Sequence, residues 1–559
     1  MTGKKKTAKA SLEAMYRVFT VPEAPDSTLS RIDQDISRNL AGFLQEHIVA
    51  IERDLGDVVK DFSESSVPEK PIFVSEQTQF LLDKLVAHSV HTASPSFIGH
   101  MTSALPYFML PLSKIMIALN QNLVKTETSK AFTPLERQVL GMIHRLVYNE
   151  DGAFYRKWMH DPRFALGSMG SGGTVANLTA LWVARNQAFP AEGSFRGLHE
   201  EGLFRALRYY GHEGAAILVS SRGHYSLRKA ADVLGLGRSS LISIPTDDDN
   251  RIQTDALRDK CLELQKQKIK VLAICGIAGT TETGNVDPLD AMADIAKEFG
   301  AHFHVDAAWG GPTLFSRQYA HLLKGIERAD SVTFDAHKQL YVPMGSGLVV
   351  FRNPELVGAN YRLSQYIIRK GSRDLGSTTL EGSRPGMAML IHSGLKILAR
   401  EGYEILIDQG FEKARTFAEM INGRPDFELI TRPELNILTY RYCPADTQKA
   451  LDLATKSQSE RINASLNRLT KYIQKTQREL GKAFVSRTRL EPAKHHKLPC
   501  VVFRVVLANP LTTPQILQDI LEEQAQIAQF PAIADEIQVL ENMTQSVLTG
   551  TSDRKSRQA

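Results

Sequence analysis

Between residues 164 and 355 the chain alternates short, wholly apolar runs with longer stretches of helical periodicity. The runs are AAILVSS (215–221), VLAICGIAG (271–279), AHFHVDAA (301–308), SVTFDAHK (331–338) and GLVVFR (347–352). A run with little apolar–polar alternation suits a strand buried on both faces. Strands of this kind separated by helices predict a mostly parallel sheet in an α/β domain. Upstream, Ile32, Ile36, Leu40, Phe43 and Leu44 recur at helical spacing, and the pattern breaks at Pro68 and Pro71. Residues 93–112 are rich in Pro, Ser and Gly and read as a loop, with helical stretches at 113–125 and 134–149. Downstream come a helix at 393–424, strands LNILTYRY (435–442) and CVVFRVVL (500–507), a charged helical stretch between them at 446–485, and a helix at 514–529. That order suggests a small α+β domain. The expected division is a disordered start (1–30), an N-terminal helical segment (31–92), a large domain (93–390), a small domain (391–544) and a disordered tail (545–559).

Composition narrows the classes. At 559 residues the chain exceeds what one core sustains, so more than one domain is expected. No run of about 18 apolar residues exists, which excludes a helical membrane span. The start, MTGKKKTAKASLEAMYRVF, is basic but has neither the apolar stretch of a secretory signal nor the arginines of a transit peptide, so a cytoplasmic protein is expected. Cys261, Cys275, Cys443 and Cys500 lack metal-ligand or disulfide spacing, so neither a metal site nor a disulfide framework is expected. The net charge of +5 is slight for this length and lies partly in Lys4, Lys5, Lys6 and the tail, so no nucleic-acid partner is expected.

Four segments could carry chemistry. In GSMGSGGTVANLTALWVAR (167–185) small residues precede a helical pattern that begins near Thr174, which leaves backbone N–H groups for an anion. A flexible turn would read the same. In HFHVDAAWGG (302–311) Asp306 ends an apolar run, at the strand edge where open α/β sheets bind ligands. There it either caps a turn or faces a ring nitrogen. In SVTFDAHKQLYVPMGSGLVVF (331–351) Lys338 follows a strand end beside His337, either as an ordinary pair or as an imine-forming lysine with a cationic neighbour. In SRGHYSLRKAADVLGLG (221–237) His224 follows another strand end, where a loop histidine and a ring-stacking one look alike. The ordered set is informative. A phosphate cradle, a stacking imidazole, a carboxylate and a His-Lys pair occur in the order that pyridoxal 5′-phosphate requires. The 32 residues from Asp306 to Lys338 fit one helix and one strand.

With SPSFIGHMTSALP, GSGGTVANL, HYSLRKAADVLGLG, AGTTETGNVDPL, HFHVDAAWGG, DAHK and FRVVLANP, the chain resembles the group II pyridoxal-phosphate-dependent amino-acid decarboxylases over about residues 93–530. The resemblance implies an aminotransferase-like fold-type I enzyme, a homodimer with shared active sites, and decarboxylation of an acidic amino acid: aspartate first, glutamate or cysteine sulfinate as alternatives. Lys338 is similar to the family's Schiff-base lysine, Asp306 to the partner of the pyridine nitrogen, and His224 to the ring-stacking histidine. Gly173 and Thr174 match the phosphate turn, His337 lies beside the cofactor, Thr281 matches a threonine near it, and Ala308 matches a small residue under the ring. Tyr366, with Tyr361 as alternative, stands for the loop tyrosine that protonates the product carbon. His100 and Arg504 stand for substrate-binding residues. The chain departs from the family's Asn-Pro-His-Lys by reading Asp335-Ala336-His337-Lys338. A carboxylate facing a phosphate would repel it, so Asp335 is expected to point elsewhere.

Overall fold

The computed structural model describes residues 25–48, 53–360 and 373–550. Seven strands form the larger sheet: β1 (Gly167–Gly170), β2 (Gly214–Ser220), β3 (Leu241–Ile244), β4 (Ile269–Ile277), β5 (His302–Asp306), β6 (Ser331–Asp335) and β7 (Gly347–Phe351). Their order is β1-β7-β6-β5-β4-β2-β3. β3, β2, β4, β5 and β6 run parallel, and β7 lies antiparallel between β6 and β1. The centre is buried on both faces, which is why Val271–Ile277 and Ser331–Asp335 show no alternation of exposure. One face packs on the helices Phe132–Tyr148, Thr254–Lys266 and Leu289–Glu298, the other on Gly173–Ala188, Leu198–Tyr210 and Tyr225–Val233. Because β4, β5 and β6 run parallel, Ile277, Asp306 and Asp335 end them at the same edge of the sheet.

A second, antiparallel sheet has the order β10-β11-β9-β8, from β8 (Phe427–Thr431), β9 (Ile437–Tyr442), β10 (Ser486–Leu490) and β11 (Cys500–Val506). The helices Ala399–Asn422, Lys456–Leu480 and Pro514–Ile527 pack on it. The two sheets are tied by buried side chains: Trp309 donates its indole N–H to Asn436, Asn436 donates to Gln339, and Gln339 donates to the Trp309 carbonyl.

Several expectations are corrected. Residues 28–30 are helical rather than disordered, because Ser27 caps the helix Thr28–Arg38 by accepting from the Ser30 amide. The helix expected from 113 begins at Met109. Pro111 is tolerated because its missing N–H falls in the first turn, where no intrahelical acceptor exists. Residues 96–98, assigned above to the large domain, pair with the small one: the Ile98 amide donates to Phe484, the Val506 amide donates to Ile98, and Ile98 lies fully within that core. The tail is helical through Leu548, in the helix Ala534–Leu548. Among the described residues no helix is long and apolar enough to cross a membrane, and no cluster suits a metal ion. All four cysteines are buried and free.

Candidate active site

The sheet edge where β4, β5 and β6 end opens into a cavity of about 400 Å³. Ser171–Val175, Asn177, His224, Thr281, Asp306, Ala308, Asp335, His337 and Lys338 contribute to its wall. Sequence reasoning named Gly173, Thr174, His224, Thr281, Asp306, Ala308, His337 and Lys338 separately, and the fold brings them to this one cavity. The turn at 170–173 leads into the helix Gly173–Ala188, whose first N–H groups point out of the helix end.

Asp306 is buried at the end of β5 and is held on both oxygens, by the Ala308 amide (3.2 Å) and by Asn177 Nδ2 (2.8 Å). Asn177 gives its second hydrogen to Ser226 Oγ (3.1 Å) and accepts from His304 Nε2 at Oδ1 (3.0 Å). His304 then accepts from Ser331 Oγ at Nδ1 (2.8 Å), and His302 Nε2 donates to Ser331 Oγ (2.7 Å). Burial pushes the His304 imidazole down to about 4, so it stands neutral, as this chain of donors requires. The carboxylate of Asp306 is thus oriented by a network of neutral groups, which leaves its charge available to the cavity.

His224 caps the helix Tyr225–Val233. Its Nδ1 accepts from the Ser226 amide and lies 2.8 Å from Ser226 Oγ, which links the imidazole to Asn177 and so to Asp306. Desolvation lowers its pKa, against the opposing pull of Asp306. An Nδ1 that accepts leaves Nε2 as the hydrogen-bearing nitrogen of the neutral ring. Lys338 follows β6, and its ammonium pairs with Asp335 Oδ2 at 3.1 Å. His337 Nδ1 is spent on the Ser346 carbonyl (2.9 Å), and its Nε2 faces Asp335 at 3.7 Å.

Asp335 therefore does not point away. Its backbone ends β6 in register with Gly347, and its side chain lies under the glycine turn, 2.7 Å from where a Cβ on Gly173 would stand. The charge argument missed it because Lys338 and His337 both face the carboxylate. His100 and Arg504 lie beside the cavity rather than in its wall. Arg504 donates Nε to the Thr281 carbonyl (2.6 Å) and Nη1 to the Gly99 carbonyl (3.3 Å), and its buried Nη2 has no partner. Burial lowers its pKa to about 10. His100 is exposed, and its pKa falls through desolvation first and then through its neighbours Arg504, Lys338 and His337. Tyr366 and Tyr361 lie outside the described residues.

Sequence reasoning missed Asn177. The available signal was an asparagine inside the apolar helical run GTVANLTALWVA, since a fully buried amide must have partners.

The donors suit pyridoxal phosphate: an amine for an aldehyde, a fixed carboxylate for a ring nitrogen, an imidazole for a ring face, and a helix-end turn for a phosphate. Together with the mostly parallel sheet they define a fold-type I pyridoxal-phosphate enzyme. The chain belongs to the pyridoxal-dependent decarboxylase family, whose conserved domain matches residues 60–443. It is 60% identical to the aspartate 1-decarboxylase of Aliivibrio fischeri over 95% of this chain and 97% of that one. It is 28% identical to the mouse cysteine sulfinic acid decarboxylase, over 78% and 83% of the two chains. Among solved structures, mouse CSAD in its apo form is similar with a TM-score of 0.75 at 25% identity, covering 90% of this chain and 98% of that one. Oryza sativa TDC with PLP and tryptamine shares the fold, with a TM-score of 0.75 at 19% identity over 91% and 99%.

Proposed function

We propose that this decarboxylase acts on L-aspartate, releasing carbon dioxide and β-alanine. The observation that carries the substrate is the likeness to the Aliivibrio fischeri aspartate 1-decarboxylase, at 60% identity and nearly full length on both sides. Glutamate and cysteine sulfinate form the second reading, favoured by the mouse relative at 28%.

Pyridoxal phosphate, when bound, supplies a protonated pyridine ring that draws off the electron pair left as carbon dioxide departs. In this reading Asp306 keeps the proton on the ring nitrogen, and the network through Asn177 and His304 holds that carboxylate in place. Lys338 would hold the cofactor through its aldehyde. Gly173 and Thr174 would hold the phosphate with His337 beside the cofactor, Ala308 would leave room under the ring, and Thr281 would close one side. The neutral His224 would lie against the ring face and steer the carboxylate that is lost. Arg504, with an unspent N–H pair at Nη2, and His100 orient the substrate's acidic groups. Tyr366, or Tyr361 in its place, delivers the proton to Cα. The enzyme works in the cytoplasm as a homodimer with shared active sites, and residues 31–92 serve as the dimerising segment.

The test is parallel decarboxylation of aspartate, glutamate, cysteine sulfinate and an aromatic amino acid by protein loaded with cofactor, with Lys338→Ala as control. Preferential formation of β-alanine supports the reading. A faster reaction with glutamate or cysteine sulfinate replaces it with the second. Amine formation by Lys338→Ala at the normal rate removes that lysine from its role.

A further inference from the structure

Past the end of β4 the chain turns back on itself in a tight hairpin, residues 278–286, which carries Gly279 and Thr281 into the cavity wall. Ala278 and Val286 pair across its stem, and the Gly279 and Thr280 amides both donate to the Asn285 carbonyl (3.1 and 2.9 Å). Gly279 and Gly284 take positive φ, 95° and 73°, which glycine adopts without strain. The hairpin rests on the small domain. A Cβ built on Gly284 would stand 2.8 Å from Ile437 Cβ, and one on Gly279 would stand 3.0 Å from Leu435 Cδ1. Glu434, in the turn between β8 and β9, clasps the stem: its Oε2 accepts from the Val286 amide (3.1 Å) and from Asn285 Nδ2 (3.2 Å). Arg251 meets the same carboxylate from the more exposed side, with Nη2 2.8 Å from Oε1 and Nε 3.3 Å from Oε2. At the tip, the Thr281 carbonyl accepts from Arg504 Nε of β11 at 2.6 Å, and Arg504 Nη1 donates to the carbonyl of Gly99, the neighbour of His100 in the chain.

We propose that Glu434 is a positioning residue for the substrate: by clasping the hairpin stem it fixes Thr281, and through the Thr281 carbonyl it sets the guanidinium of Arg504. The inference rests on the reading of Arg504 and His100 as the substrate's side of the cavity. A guanidinium is a rigid planar fork, so an acceptor fixed at Nε sets the direction of its other donors. Lys338 and Asp306 stand at the ends of other strands and are held by other groups, Asp335 and Asn177. A loosened stem therefore misplaces the substrate's contacts and leaves the cofactor's in place. Glu434 has two kinds of partner, and they differ in weight. The pair with Arg251, whose side chain is 41% exposed, is screened by solvent and contributes little. Val286 and Asn285 are buried, and their donors have no route to water once the carboxylate is removed. The clasp on the stem, rather than the ion pair, carries the positioning.

The experiment measures kcat and KM for aspartate in the full chain loaded with pyridoxal phosphate. The absorbance of the bound cofactor reports that each variant is folded and loaded. Glu434→Ala is expected to raise KM by about tenfold or more, with kcat largely kept. Glu434→Gln keeps an oxygen for both stem donors and is expected to return KM to within about threefold of the parent's. Asn285→Ala removes one stem donor without stranding a charge and is expected to raise KM by about threefold. Arg251→Ala is expected to leave KM near the parent's. A parental KM in both Glu434→Ala and Asn285→Ala would overturn the proposal, and if Glu434→Ala does not load, Asn285→Ala alone decides. A KM in Arg251→Ala as high as in Glu434→Ala would overturn it by tracing the effect to the ion pair. Loss of cofactor absorbance in Asn285→Ala in place of a KM change would overturn it by moving the hairpin to the cofactor's side. Arg504→Gln, measured alongside, tests the reading beneath. A parental KM there would remove Arg504 from the substrate, whereas a KM raised there and in neither stem variant would overturn the clasp alone.

Discussion

Asn177 divides its two amide hydrogens between Asp306 and Ser226 while its oxygen accepts from His304. Truncation to Ala would leave a carboxylate oxygen and an imidazole N–H unpaired in a buried place, at about 1–3 kcal/mol each. Asn177→Ala is therefore expected to lose about 2–6 kcal/mol of stability and to hold pyridoxal phosphate more weakly. Denaturant titration and cofactor titration would check the two effects separately. His304 adds a pH dependence. Its imidazole lies near 4 in the fold against 6.5 unperturbed, so below 6.5 the unfolded chain binds a proton that the fold refuses. Stability from this group is complete above about pH 6.5 and is lost towards 4, by up to about 1.4 kcal/mol per pH unit. His304→Gln should flatten that part of the stability profile measured by urea midpoints. Asp306, His224 and Lys338 were legible in sequence because each follows an apolar run, and the end of a buried strand is where a ligand site forms. Asn177 was not, because within a helix it carries no such positional mark. Asp335 was misread because a repulsion argument for one pair omitted the Lys338 ammonium beside it.

At the scale of elements, the segment after the undescribed stretch 361–372 is anchored by one buried ion pair. Arg384 grips both oxygens of Glu136 from the helix Phe132–Tyr148, and both side chains are almost wholly buried. The same segment carries Glu381 to the Ser171 amide, so the anchor bears on the cofactor turn. Removing one partner strands a buried charge, and Glu136→Ala is expected to cost about 3–5 kcal/mol. Replacing both at once, Glu136→Leu with Arg384→Met, is expected to recover most of that loss. A double variant no more stable than the single one, by thermal or denaturant unfolding, would show that packing rather than stranded charge sets the cost. Besides β8, the apolar pattern missed three strands whose cause is visible. β1 is GSMG, whose small residues give no hydrophobic signal, and β3 is only four residues long. β10, SRTRL, is an edge strand whose exposed charges disguise it, and natural edges carry such charges to discourage further pairing. Their pairing is set by neighbours far along the chain, as with β1 on β7, which a local pattern does not carry.

At the scale of the whole molecule, the N-terminal helices present an imbalance that a single chain leaves unresolved. Of the residues in the helices Thr28–Arg38, Leu40–His47, Leu55–Asp61 and Val74–Lys84, Phe43 is the buried one, while Leu55, Val59 and Val74 are more than half exposed. Helices this short are marginal without a packed face. The apolar helix Met109–Leu119 adds to the same surface: Met109 is buried, Ile117 is 69% exposed, and Lys114 pairs with Asp33 (2.5 Å) and Ser37 (2.8 Å) of the first helix. Patches of this kind mark interfaces, and a second copy is the occupant that the proposed homodimer would supply. The helix Met109–Leu119 joins this surface to the large sheet through Met109, which packs in the main core. Ile117→Asp places a charge on that face without touching the core. If the proposed homodimer forms through this face, the variant is expected to sediment as a monomer at micromolar concentration where the parent chain sediments as a dimer, and to lower decarboxylation in step with the monomer fraction. A variant that stays dimeric would place the interface elsewhere. A monomer with full activity would show that each cavity is complete within one chain.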